Sequence, residues 1–172
     1  MQRLLILGNA GSGKTYLAKK IAAILLLEAI HLDYYFWQPG WKIPDRKVWI
    51  KQITEMVKRE RWVMDGNYCS VLDLRLKYAD TIIFIEQDRI TCLFRCFHRF
   101  LKFHGRSRPD LNKGCPETFD LDFAKWIWNY SRNEKPEIFK IISQHQDITL
   151  IILKGKKGIV RFLRKMKLKR GI

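Results

Sequence analysis

The chain alternates short continuous apolar runs with longer stretches of helical periodicity. Leu4 to Leu7 is the first run and ends in glycine. From Lys14 to Glu28, Leu17, Ala18, Ile21, Ala22 and Leu25 then recur on one helical face. A second run, Ala29 to Asp33, leads through an aromatic segment to Pro44-Asp45, a helix start ahead of Trp49, Ile53, Met56 and Val57; that helix is predicted to end near Arg61. Trp62 to Asp65, Thr81 to Ile85 and Ile148 to Leu153 supply three more runs. Five strands that are apolar on both faces and alternate with helices predict a parallel sheet covered on both sides by right-handed crossovers, a three-layer α/β/α sandwich.

No repeat or linker divides the chain, so residues 1–172 read as one domain. Apolar residues make up 47% of the chain, enough to form a core. The longest apolar stretch, Ile21 to Leu27, falls far short of the ~20 residues a bilayer-spanning helix needs. No export signal opens the sequence, and a cytoplasmic protein with reduced thiols is expected. Lysine and arginine outnumber acidic residues 33 to 17, a net charge of +16 that favours polyanionic partners.

Gly8-Asn9-Ala10-Gly11-Ser12-Gly13-Lys14-Thr15 matches G-x-x-x-x-G-K-[ST] and lies between a predicted strand and a predicted helix. Glycines there turn successive N–H groups toward phosphate oxygens, and the helix start adds its positive dipole end. Lys14 is expected to reach the β and γ phosphates of ATP and Thr15 to bind Mg²⁺. In open α/β sheets ligands sit beyond the carboxyl ends of strands, which singles out Asp33 and Asp65. Asp65, ahead of Gly66-Asn67-Tyr68, suits metal binding through water; Asp33 suits orienting or deprotonating an acceptor hydroxyl, or supporting the metal. Both also suit the plainer role of helix cap.

From Arg89 to Pro109 no acidic residue occurs, and Arg95, Arg99 and Lys102 share one helical face while Ile90, Leu93, Phe94, Phe97 and Leu101 supply the face expected to be buried. With Arg106 and Arg108 this segment, about residues 95–117, reads as a lid that closes on the transferred phosphoryl group, its loop from His104 to Pro116 being mobile. The aromatic cluster Tyr34, Tyr35, Phe36, Trp37 and Trp41 is placed to wall a pocket or to fill core. Cys92 and Cys96, one turn apart near His98, His104 and Cys115, allow a zinc site but lack a second ligand pair. Nine basic and no acidic residues follow from Lys154 onward, where Ile159, Phe162, Leu163 and Met166 form an apolar stripe. This basic helix, about residues 157–170, suits either nucleic acid or simple docking with a solvated face.

Several further stretches are distinctive: His31-Leu32-Asp33 with Phe36 to Trp41, Asp65 to Tyr68, Leu72 to Arg75, Gly105 to Asp110, Gly114 to Glu117 and Trp126 to Asn129. With the phosphate loop they make the whole chain resemble the FlaR-related "DNA topology modulation protein" family, in the adenylate-kinase-like branch of P-loop proteins. The resemblance implies a five-stranded parallel sheet, an arginine-bearing lid and a second-substrate region after the second and third strands. Asp65-Gly66-Asn67-Tyr68 replaces the Asp-Gly-Phe-Pro-Arg stretch of adenylate kinases, which argues against AMP as acceptor. Trp37 and Asn67 fall in the implied substrate region, and Arg75 or Arg132 is expected to take the anion-binding role. Phosphoryl transfer from ATP to a small acceptor, possibly a nucleoside or nucleotide, is the leading expectation; nucleotide-dependent DNA binding through the lid and the basic tail is the alternative.

Overall fold

The computed structural model describes residues 1–171. Five strands, β1 (Arg3–Gly8), β2 (Glu28–His31), β3 (Trp62–Asp65), β4 (Thr81–Glu86) and β5 (Thr149–Lys154), form one parallel sheet in the order β2-β3-β1-β4-β5. The central β1, β3 and β4 are buried on both faces, which their unbroken apolar runs require. Helices α1 (Lys14–Leu25) and α7 (Gly155–Arg170) cover one face, where Leu17, Ile21, Ile159, Leu163 and Met166 meet Leu4, Ile6 and Ile83. The other face packs Leu5, Leu7 and Phe84 against α3 (Arg46–Val57), α4 (Leu72–Leu76) and α6 (Leu121–Ile142). A three-layer α/β/α sandwich results.

Short polar side chains set the helix starts. Asp45 accepts from the N–H groups of Lys47 and Val48, Asp88 from that of Thr91, and Asp120 from that of Phe123. α1 stops at Leu25, three residues before the predicted end, because Leu26 turns into the left-handed region and leaves its side chain in solvent. β2 is an edge strand and ends at His31; the next five residues coil into α2 (Leu32–Phe36), so Asp33 sits in the first turn of a helix rather than at the close of a strand.

α5 (Arg89–Phe103) departs from the predicted burial. Ile90, Phe94, Phe97 and Leu101 are 68%, 67%, 44% and 59% exposed, and the fully buried positions are Cys92 and Cys96. α5 meets the phosphate loop and α6: Cys92 and Cys96 pack with Ile127, and Leu93, one of the residues expected to be buried, is partly buried against the same cluster. A Cβ on Gly11 would stand 2.5 Å from the Cys92 carbonyl oxygen and 3.1 Å from Cys96 Sγ. Those two thiols therefore pack and do not form the zinc site that their spacing allowed. Among the described residues the one group close enough to share a metal is Cys69, Glu134 and Glu137. α7 docks through its apolar stripe and leaves its basic residues in solvent. No helix among the described residues is long and apolar enough to cross a membrane.

Candidate active site

Loop 8–15 joins β1 to α1. Gly8 adopts φ 146° and Gly11 φ 73°, and a side chain at Gly8 would come within 2.7 Å of the Ile85 carbonyl oxygen. The close approach of β4 and α5 thus forces the loop to fold tightly around its own amides. The Ser12 hydroxyl is buried with no partner among the described residues. Lys14 Nζ donates to the carbonyls of Gly8 and Asn9 at 2.9 Å each. Burial lowers the affinity of this amine for its proton, while the carboxylates of Asp33 and Asp65 oppose that shift.

Sheet register brings Ile6, Asp65 and His31 side by side across three strands. Thr15 Oγ1 donates to Asp65 Oδ2 at 2.7 Å, and Asp65 Oδ1 lies 2.5 Å from His31 Nδ1. Asp33 Oδ1 accepts from the Tyr68 hydroxyl at 2.7 Å. Burial, then Asp33, raises the pKa of Tyr68, which keeps that phenol protonated. Neither His31 nor Tyr68 carried a functional signal of its own in the sequence; both lie beside the carboxylates that did.

Lys14, Thr15, Asp33 and Tyr68 line one cleft of about 1160 Å³, with Trp37, Trp41, Asn67, Cys69, Phe123, Trp126 and Glu134 on its walls; Asp65 and His31 are not part of its lining. Asn67 grips the loop: its Oδ1 accepts from Gly8 N at 3.1 Å and its Nδ2 donates to the Gly8 carbonyl at 3.0 Å. Trp37 and Trp41 meet edge to face with centroids 5.3 Å apart, while Phe36 turns away to pack on Trp49 and Tyr68. Tyr34 and Tyr35 are exposed.

The cations divide into two groups. Arg95, Arg99 and Arg108 line the cleft. Arg95 Nη1 donates to the Gly11 carbonyl at 3.1 Å. Arg99 Nε and Arg108 Nε meet the two oxygens of Glu117 at 2.6 and 2.7 Å, and Arg108 Nη1 meets Asp110 at 3.0 Å. Glu117 is 3% exposed and pairs with both arginines, a residue that the sequence marked only as part of a distinctive stretch. Arg106, Arg75 and Arg132 are absent from the cleft lining. Arg106 and Arg132 face solvent. Arg75 is wholly buried in α4, and its guanidinium donates to the carbonyls of Gly66, Asn67, Tyr68 and Val71. Its donors are spent on the turn that presents Asn67 and Tyr68, which corrects the expectation of an anion-binding role for Arg75.

The segment from His104 to Pro116 is tied across the cleft to the chain after α2. Gly40 N donates to the Gly114 carbonyl at 2.7 Å, Trp41 Nε1 to the Pro116 carbonyl at 3.0 Å, and Cys115 Sγ to the Gln38 carbonyl at 3.1 Å. Trp41, at φ 60°, and Tyr68, at φ 38°, hold left-handed backbones rare for bulky residues, and both face this cleft.

The chain matches no protein-family model and no curated protein. It is similar to three solved kinases. The shikimate kinase of Bacteroides thetaiotaomicron is 17% identical with a TM-score of 0.63, over 99% of both chains. The shikimate kinase of Acinetobacter baumannii, solved in complex with shikimate, is 13% identical with a TM-score of 0.63, over 99% of this chain and 94% of the other. A gluconokinase of Sinorhizobium meliloti 1021 is 15% identical with a TM-score of 0.50, over 98% and 97%. At such identities the likeness establishes a shared fold, and the chain has the α/β fold of these small-molecule kinases.

Proposed function

We propose that the chain is a kinase that moves the γ-phosphoryl group of ATP onto a hydroxyl of a small acceptor. The observation that carries this reading is a single cleft lined both by the phosphate loop and by the Asp33–Tyr68 pair. At about 1160 Å³ it exceeds the ~300–1,000 Å³ of a typical one-ligand pocket. The similar solved structures are kinases of small molecules, which is in keeping with the reading.

The tightly folded loop and the unpartnered Ser12 hydroxyl suit a polyphosphate. Thr15 and Asp65 offer hard oxygen donors that suit Mg²⁺, with Asp65 acting through water; bound there, the ion would neutralise charge on the phosphates. With one Asp33 oxygen held by Tyr68, the other is left to take the proton of the acceptor O–H. The acceptor oxygen then bonds to the γ-phosphorus as the bond from that phosphorus to the bridging oxygen breaks, and ADP departs with the electron pair. Lys14 and Arg95 already donate to loop carbonyls and can turn to phosphoryl oxygens. Arg99 and Arg108 stand across the cleft to share the spreading negative charge.

The test is to incubate the protein with γ-labelled ATP, Mg²⁺ and a panel of nucleosides, sugars and small hydroxy acids. Label is expected in an acceptor and is expected to disappear in Lys14→Ala while the fold persists. Hydrolysis to free phosphate with no labelled acceptor would refute the kinase assignment.

A further inference from the structure

Resting on the kinase reading, we propose that Glu117 is a positioning residue for phosphoryl transfer. Its carboxylate holds Arg99 and Arg108 in the orientation that receives the transferred group.

Glu117 is anchored through its own backbone. Its N–H donates to the Arg106 carbonyl at 3.0 Å, it bridges to His104, and Ser107 and Pro116 bridge beside it. The Pro116 carbonyl in turn accepts from Trp41 Nε1 at 3.0 Å. At 3% exposure an ionised carboxylate persists only with partners, and the partners here are two arginines from different segments of the lid.

The grip is on the inner nitrogen of each guanidinium. Arg99 Nε donates to Oε1 at 2.6 Å. Arg108 Nε stands 2.7 Å from Oε2 but off the N–H direction, so this contact is an ion pair without a hydrogen bond. Asp110 takes Arg108 Nη1 at 3.0 Å. Both Nη groups of Arg99 and Nη2 of Arg108 are left with no hydrogen bond among the described residues. A guanidinium is a fork of five donors, and the free ends of two such forks suit the oxygens of a phosphoryl group.

The cluster lies beside the phosphate loop. Cys96 Sγ would be 3.1 Å from a Cβ on Gly11. Burial raises the pKa of this thiol, and the charges that act on it next are Arg99, Lys14, Glu117 and Arg108. One side chain of α5 therefore has both the phosphate-loop lysine and the arginine cluster for neighbours, and all four charged residues line the same cleft.

Charge and orientation predict opposite effects of removing Glu117. A negative charge among cations weakens their pull on a phosphate, so by Coulomb's law alone Glu117→Gln would tighten triphosphate binding. A holding role predicts the reverse. Without the carboxylate, two neighbouring guanidiniums repel each other and lose the fixed arrangement on which preorganised donors depend.

The test titrates two ligands, each with Mg²⁺, into the parent, Glu117→Gln and Glu117→Asp: ADP and a non-hydrolysable ATP analogue. The ratio of their affinities isolates contacts to the transferred group. The parent is expected to favour the analogue, and both variants to lower that ratio about tenfold or more while ADP affinity is unchanged. Glu117→Asp keeps the charge but is one methylene too short to span both arginines, so its loss reports orientation. An unchanged or raised ratio in either variant overturns the proposal, as does a parent that does not favour the analogue. Equal weakening of both ligands, or variants that no longer unfold cooperatively, would make Glu117 a stability residue and overturn it too. The kinase reading survives each of these results as long as the parent binds the analogue; a parent that binds neither ligand removes both together.

Discussion

The Thr15 hydroxyl donates to Asp65 across 2.7 Å and so ties the first turn of α1 to the end of β3. His31 holds the other carboxylate oxygen at 2.5 Å. One acidic side chain thereby joins the helix that follows the phosphate loop to two neighbouring strands. Asp65→Asn preserves shape and removes charge. It should weaken the Mg²⁺ dependence of triphosphate binding by roughly 10- to 100-fold, the usual cost of losing an outer-sphere partner. Calorimetric titrations of ATP at varied Mg²⁺ measure this; an unchanged metal dependence would take Asp65 out of the metal's environment.

Arg75 should behave as a stability residue. Arg75→Met strands buried carbonyls of residues 66, 67, 68 and 71, each costing about 1–3 kcal/mol when left unpaired. A loss of roughly 3 kcal/mol or more in chemical denaturation is expected. An anion-binding role would give the opposite pattern, a raised KM with stability intact.

Cys92 links pH to stability. Burial, and then Cys96, pushes its thiol up to about 12, above its ordinary value near 9. A group raised in the folded state favours folding fully below its unfolded pKa, and that contribution is lost as pH climbs through the folded value. Denaturant midpoints of the parent and Cys92→Ala should therefore differ by a constant amount up to about pH 9 and converge above it. A gap that widens above pH 9 would reverse the sign of this argument.

The exposed face of α5 should tolerate polarity. Phe94→Ser is expected to change the unfolding free energy by no more than about 0.5 kcal/mol. Ile127→Ala, which hollows the small cluster of Cys92, Cys96 and Ile127, should cost about 2–5 kcal/mol. Thermal unfolding of the two variants side by side decides the matter, and equal losses would mean that Phe94 is covered.

The chain's own pattern determined the five strands, their parallel arrangement and the phosphate loop. These follow from short continuous apolar runs alternating with helical periodicity and from glycines at fixed spacing before lysine and threonine; that the edge strand β5 leaves Leu150 and Ile152 exposed was not legible in its equally apolar run. The cap positions of Asp45 and Asp120 belong to the same local chemistry. Tertiary structure alone decided which groups meet. Periodicity shows that a helix face is apolar but not what covers it. Close approach to Gly11 buried Cys92 and Cys96 and left Phe94 in water. Arginines at 75, 99 and 108 are chemically alike in the sequence. Their partners, namely backbone carbonyls for Arg75 and Glu117 for Arg99 and Arg108, are set by contacts between segments distant along the chain or by a turn whose shape the sheet imposes. Charge is written in the residues; whether it is free to meet a ligand depends on what folding places beside it.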